Sequence, residues 1–150
     1  MRKPYALKAA LVAGLLLWQM STPAAASRAG ASRAAASDAT VKQLFDKDLI
    51  GVPGKELVML TVEYLPGGAS LPHRHDAQVF VYVLEGELTM QVAGSPAVNL
   101  KPGQTFYENP TDVHTVSANA SKTAPAKILV FIVKDKGKPV TRGAEPPSAS

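Results

Sequence analysis

Between residues 40 and 134 the chain is interrupted by turn-forming clusters every few residues. No stretch between them has the length and 3.6-residue period of a helix. The clusters Pro66-Gly67-Gly68, Glu85-Gly86 and Gly94-Ser95-Pro96 separate runs rich in Val, Ile, Tyr and Phe. These runs predict short strands over 41–48, 56–65, 79–84, 87–92, 98–100, 105–108, 114–117 and 127–133. Many short strands at this spacing imply an all-β sandwich or barrel.

Two of the runs are apolar on both faces: Val79-Phe80-Val81-Tyr82-Val83-Leu84 and Ile128-Leu129-Val130-Phe131-Ile132-Val133. A strand in a small barrel shows one face to water unless something covers it. A second sheet, the N-terminal segment or another subunit could supply the cover. A homodimer is the simplest of these expectations.

The flanks read differently. Residues 1–26 begin with Arg2, Lys3 and Lys8 and continue with an apolar run from Ala9 to Met20. They end in Pro23 and the small residues Ala24-Ala25-Ala26. This is the layout of a secretory signal peptide, and the apolar run is shorter than the ~20 residues of a membrane span. It predicts a periplasmic or secreted protein with no membrane association after cleavage. Residues 27–39 read as a flexible linker and 135–150 as a fraying tail, leaving 40–134 as one domain.

The charge argument follows from that division. The full chain carries 16 Lys+Arg against 12 Asp+Glu. The signal holds three of the basic residues and no acid, so from Ser27 onward the net charge is only +1. No basic stripe remains to suggest nucleic acid. The chain has no cysteine, so disulfides contribute nothing to its stability.

Two of the three histidines stand two apart, in Leu71-Pro72-His73-Arg74-His75. On an extended chain their side chains point to the same side, as adjacent metal ligands require. The third, His114, follows the turn Asn109-Pro110-Thr111-Asp112. Three imidazoles suit a divalent ion of Fe, Mn, Zn, Ni or Cu. A surface or locally hydrogen-bonded role is the plainer alternative for each. Glu108, just ahead of the turn, is a ligand or general base if it faces inward. The simpler expectation sets it at the barrel rim, with Phe106 packed in the core.

The stretch from Gly67 to Gly86 resembles the first motif of the cupins. Gly67, His73, His75 and Gly86 stand at the motif's spacings, and Gly103 and His114 at those of the second motif. Asn109 and Thr111 replace the second motif's proline and glycine, and Asn119 comes one residue late. The resemblance implies a double-stranded β-helix, the jelly-roll cupin barrel, with a metal near one mouth held by His73, His75 and His114. Val79 occupies the position of the motif's glutamate. Gln78 lies one residue earlier and becomes a fourth ligand only if a bulge near Asp76-Ala77 re-aims it. The resemblance implies a small-molecule ligand or substrate. An oxygenase acting on a small organic molecule is the leading expectation. A sugar or sugar-acid isomerase or lyase and a non-catalytic binding module are the alternatives, because this fold hosts many functions.

Overall fold

A computed structural model describes residues 38–144. The predicted signal peptide and most of the predicted linker lie outside the described residues, as do the last six positions. Ten strands follow in order: β1 (Ala39–Asp48), β2 (Lys55–Tyr64), β3 (His73–Arg74), β4 (Ala77–Glu85), β5 (Leu88–Val92), β6 (Val98–Leu100), β7 (Thr105–Glu108), β8 (Val113–Asn119), β9 (Ala126–Asp135) and β10 (Arg142–Gly143). They pair antiparallel into two five-stranded sheets, ordered β1-β2-β9-β4-β7 and β10-β3-β8-β5-β6. This is an all-β fold, as the strand spacing predicts, and the jelly roll that the cupin resemblance implies.

The core follows from strand alternation. On β4 the side chains of Ala77, Val79, Val81 and Val83 are buried, while Gln78, Phe80, Tyr82 and Leu84 are exposed. Its neighbour β9 buries Ile128, Val130 and Ile132 on the same inner face. The register aligns these into rungs: Val58–Ile132–Val79–Glu108 is one, and Leu60–Val130–Val81–Phe106 the next. A β-branched side chain fits a pleated surface packed against another sheet.

Gly86 closes the turn between β4 and β5. Its φ is +74°, a left-handed conformation that favours glycine. A Cβ there would also come 2.5 Å from the Pro125 carbonyl oxygen. The second motif's departures are absorbed locally. The Asn109 amide N–H donates to Asp112 Oδ2 at 2.8 Å, and the Asp112 N–H donates back to the Asn109 carbonyl at 3.0 Å. This β-turn, closed also by the Asp112 carboxylate, needs neither the proline nor the glycine at Asn109 and Thr111.

The tail departs from expectation. Residues 135–144 do not fray but return across the barrel mouth. β10 pairs with β3, setting Arg142 opposite Arg74 and Gly143 opposite His73. Arg142 Nε lies 3.1 Å from Asp76 Oδ2, and the buried Lys134 ammonium bonds both Glu56 and the Lys138 carbonyl. Pro, Gly and charge give this segment an unstructured look, yet backbone pairing and the ion pairs Lys55–Asp135, Lys136–Asp48 and Arg142–Asp76 hold it. The linker boundary moves too, since Ala39 already pairs with Tyr64.

Candidate metal centre

β3 is only two residues long, but its pairing decides the site. His73 lies opposite His114 on β8. The two rings stand 5.1 Å apart between centroids, and the His75 ring meets His73 edge-on at 4.9 Å. His75 and His114 are buried and His73 is partly so. The sequence spacing brought His73 and His75 together; the β3–β8 pairing adds His114.

Two of the three rings have an outer nitrogen already engaged. The Nδ1–H of His73 donates to the Leu71 carbonyl at 2.8 Å, and the Nδ1–H of His75 donates to the Val140 carbonyl. Both rings are thereby held as the tautomer whose Nε2 carries a free lone pair, the arrangement seen in metal-bound histidines. Burial holds His73 below the ordinary imidazole pKa, which favours the neutral form a ligand needs.

Glu108 completes the cluster. It faces Val79 across the β4–β7 ladder and is only 2% exposed, so the rim position expected for it is wrong. Its Oε1 lies 3.1 Å from His114 Nδ1 and its Oε2 lies 4.0 Å from His75 Nε2. The 3.1 Å contact lacks hydrogen-bond geometry: neither His114 nitrogen has a hydrogen-bond partner, and Glu108 Oε2 has none. Phe106, one rung away, is stacked on the His114 ring at 5.9 Å.

Gln78 is not part of this cluster. β4 and β9 run in unbroken register from Ala77 to Val83, so no bulge re-aims it, and its side chain is exposed on the outer face. The expectation of Gln78 as a ligand fails for the reason that a one-residue offset reverses a strand side chain.

Among the described residues, no three His, Cys, Asp or Glu groups already stand in a coordinating arrangement. The rings pack against one another and must turn to meet at one point. The donor set nonetheless fits a divalent ion. Three imidazoles and a carboxylate converge in the interior, and three of their buried polar atoms have no protein partner. Binding an ion would satisfy atoms that the fold alone leaves without one.

The cluster opens onto a cavity of about 440 Å³. Its wall is largely aliphatic, including Leu60, Val81, Met90, Ile128 and Val130. Tyr64, Ser70 and Ser117 supply polar groups, and Val140 and Thr141 from the returning tail close part of the mouth. Sequence reasoning missed these hydroxyls and the tail. Ser117 is three positions from His114, an odd offset that should face outward. A bulge at Thr115, where Gln91 pairs Val116 but Val92 pairs His114, turns both inward. No sequence signal marks that bulge.

A cupin-domain family model matches residues 60–132. No curated protein matches the chain. Solved structures do. An RmlC-like cupin from Shewanella frigidimarina NCIMB 400 is 19% identical, with 68% of this chain and 81% of that chain covered and a TM-score of 0.52. The polyketide cyclase RemF from Streptomyces resistomycificus is 20% identical, with 76% of each chain covered and a TM-score of 0.57. An oxalate oxidase bound to the substrate analogue glycolate is 25% identical, with a TM-score of 0.54; 71% of this chain is covered but only 55% of the oxidase. Residues 60–132, from within β2 to within β9, thus match the cupin domain, and the jelly roll is the cupin fold of these neighbours.

Proposed function

We propose that the chain is an exported, periplasmic or secreted cupin that holds one divalent metal ion through His73, His75 and His114 and takes a small organic molecule into the adjoining cavity. One observation carries the reading. Two imidazoles are oriented by backbone carbonyls with Nε2 left free, beside a third imidazole and a carboxylate whose buried atoms lack partners. The wall of the cavity is mostly apolar, a low-dielectric surrounding that strengthens electrostatic interactions there. A bound ion would supply Lewis-acid or dioxygen-activating chemistry.

Oxygenase chemistry on a small organic molecule suits three neutral ligands in an apolar pocket. The inward Glu108 favours a second reading, an isomerase or lyase. Its Oε2 has no hydrogen-bond partner, so it is positioned to take a proton from a molecule bound at the cluster. The oxalate oxidase likeness supports a small organic acid as ligand. Dioxygen uptake and solvent-deuterium incorporation, measured on the same candidate substrates, separate the two readings. If neither appears with any substrate that binds, the chain is a binding module.

The exposed Phe80, Tyr82, Leu84 and Tyr107 give the outer sheet face an apolar character, which supports pairing with a second copy. The central test is metal analysis of the purified mature protein and of its His73→Ala variant. We expect near-stoichiometric metal in the first and little in the second. A native protein devoid of metal after growth in metal-replete medium, or a variant that retains it fully, overturns the reading.

A further inference from the structure

Three hydroxyl groups meet on the cavity wall opposite the aliphatic side chains. The Tyr64 hydroxyl lies 2.7 Å from Ser117 Oγ and 3.0 Å from Ser70 Oγ. Tyr64 is 2% exposed and Ser117 is 4% exposed. Tyr64 comes from the end of β2 in one sheet. Ser117 is on β8 in the other, and Ser70 is bound to it through its amide, which donates to the Ser117 carbonyl at 2.9 Å. The phenol therefore spans the barrel to reach a hydroxyl pair on the far sheet.

Proton counting shows what the trio lacks. Three hydroxyls carry three protons, and the two contacts between them use two. Whichever way the bonds run, one proton remains without a protein acceptor. All three residues line the cavity, so the remaining donor is available to whatever fills it. Burial raises the Tyr64 pKa above that of an ordinary phenol, which keeps the trio protonated as a donor.

The trio stands at a defined distance from the histidines. On β5, Val92 pairs with His114 and Met90 with Ser117, two residues apart. That separation is about 7 Å along a strand. Between the two polar ends the wall is aliphatic.

We infer that Tyr64, Ser70 and Ser117 form a ligand-recognition subsite. It selects a compact, mostly apolar molecule with an acidic or chelating oxygen group at one end and a hydrogen-bond acceptor, a carbonyl or ether oxygen, about 7 Å away. The inference rests on the proposed reading of the histidine cluster for the first end of the ligand and on the hydroxyl count for the second. The two therefore fail separately.

The test uses matched benzoates as probes: 3-acetylbenzoate, which carries the acceptor, against 3-isopropylbenzoate, its apolar isostere. Affinities are measured by calorimetry on the full mature chain, both loaded with Zn²⁺ and stripped with chelator. In the wild type the acetyl compound is expected to bind roughly 3- to 10-fold more tightly than the isostere, the range of one net hydrogen bond. The triple variant Tyr64→Phe/Ser70→Ala/Ser117→Ala, which removes every hydroxyl of the trio, should bring that ratio to within about 2-fold, whereas Ser117→Ala alone leaves two hydroxyls, one contact and one spare proton and should keep a preference. Each substitution removes a single oxygen, and Ser117→Ala is the control for the loss of packing in the triple variant. Circular dichroism confirms the fold of both. An acetyl preference absent from the wild type, a preference that survives the triple substitution, or no binding of either benzoate overturns the inference. Binding that is equal with and without Zn²⁺, with the preference intact, overturns the metal reading and leaves the hydroxyl subsite standing.

Discussion

Glu108→Met offers the sharpest test of why a carboxylate sits in this core. The glutamate is almost fully buried, and its Oε2 has no hydrogen-bond partner. A buried polar group left unsatisfied costs about 1–3 kcal/mol. Methionine has a similar length and no charge, and it leaves no new partner stranded, because neither His114 nitrogen is hydrogen-bonded to the carboxylate. The metal-free variant should therefore be more stable than the wild type by about 1–3 kcal/mol, or on the order of 5–15 °C in Tm for a domain of this size. Metal should act in the opposite sense. An ion at 100 times its dissociation constant stabilises the native state by about 2.7 kcal/mol, and a site without its carboxylate loses much of that increment. Scanning calorimetry with chelator and then with excess Zn²⁺ measures both effects on the same samples. The variant should lead without metal, and its lead should shrink or reverse with it. A metal-free variant that melts lower than the wild type would refute the reasoning, since Glu108 would then be contributing to the fold instead of being held in it at a cost.

Three further outcomes follow from other parts of the barrel. Burial raises the Tyr64 pKa above the ordinary 10.0, so the unfolded chain releases this proton first as pH rises. The stability contribution is complete below the ordinary value and is lost as pH climbs through the raised one; Tm measured from about pH 8 to 11 should fall more steeply for the wild type than for Tyr64→Phe. Ending the chain after Pro139 removes the Val140 carbonyl that orients His75, and metal titration should then show affinity reduced about 10- to 100-fold while circular dichroism stays β-rich; unchanged affinity counts against an orienting role for the tail. Phe80→Glu places a charge on the exposed aromatic patch formed with Tyr107, ring centroids 5.1 Å apart, and light scattering should report a monomer where the wild type is a dimer; a wild type that is already monomeric removes the case for pairing through this face.

The strands were legible because their signal is local. Alternation on β4 and the glycine at 86 need only neighbouring residues, and both stand where expected. The pairing of His73 with His75 is equally local. What escaped the sequence depends on contacts between distant segments. β10 holds on to a strand of two residues, and a bulge at Thr115 brings Ser117 to the inner face. The tail's composition gave no hint that its Val140 carbonyl would meet an imidazole 65 positions earlier.

The carboxylate shows the difference most clearly. Reading along β4 finds valine where the resemblance implies glutamate and turns to Gln78, the nearest polar residue in sequence. Reading across the ladder finds Glu108 directly opposite Val79, on the same rung and the same inner face. Side chains paired in this way have Cβ atoms about 4.5–5.5 Å apart, a gap that a flexible glutamate spans with its own length. The position of the acid is thus a property of the rung, and either strand can supply it. The exchange Val79→Glu with Glu108→Val tests this. It keeps one carboxylate and one valine on the rung and reverses their strands. The double variant should recover a substantial part of the metal binding that Glu108→Val alone loses, read as metal content per chain after dialysis. Recovery no better than the single variant would mean that His114 and His75 need the acid at position 108 itself, and that the rung is not the unit that places it.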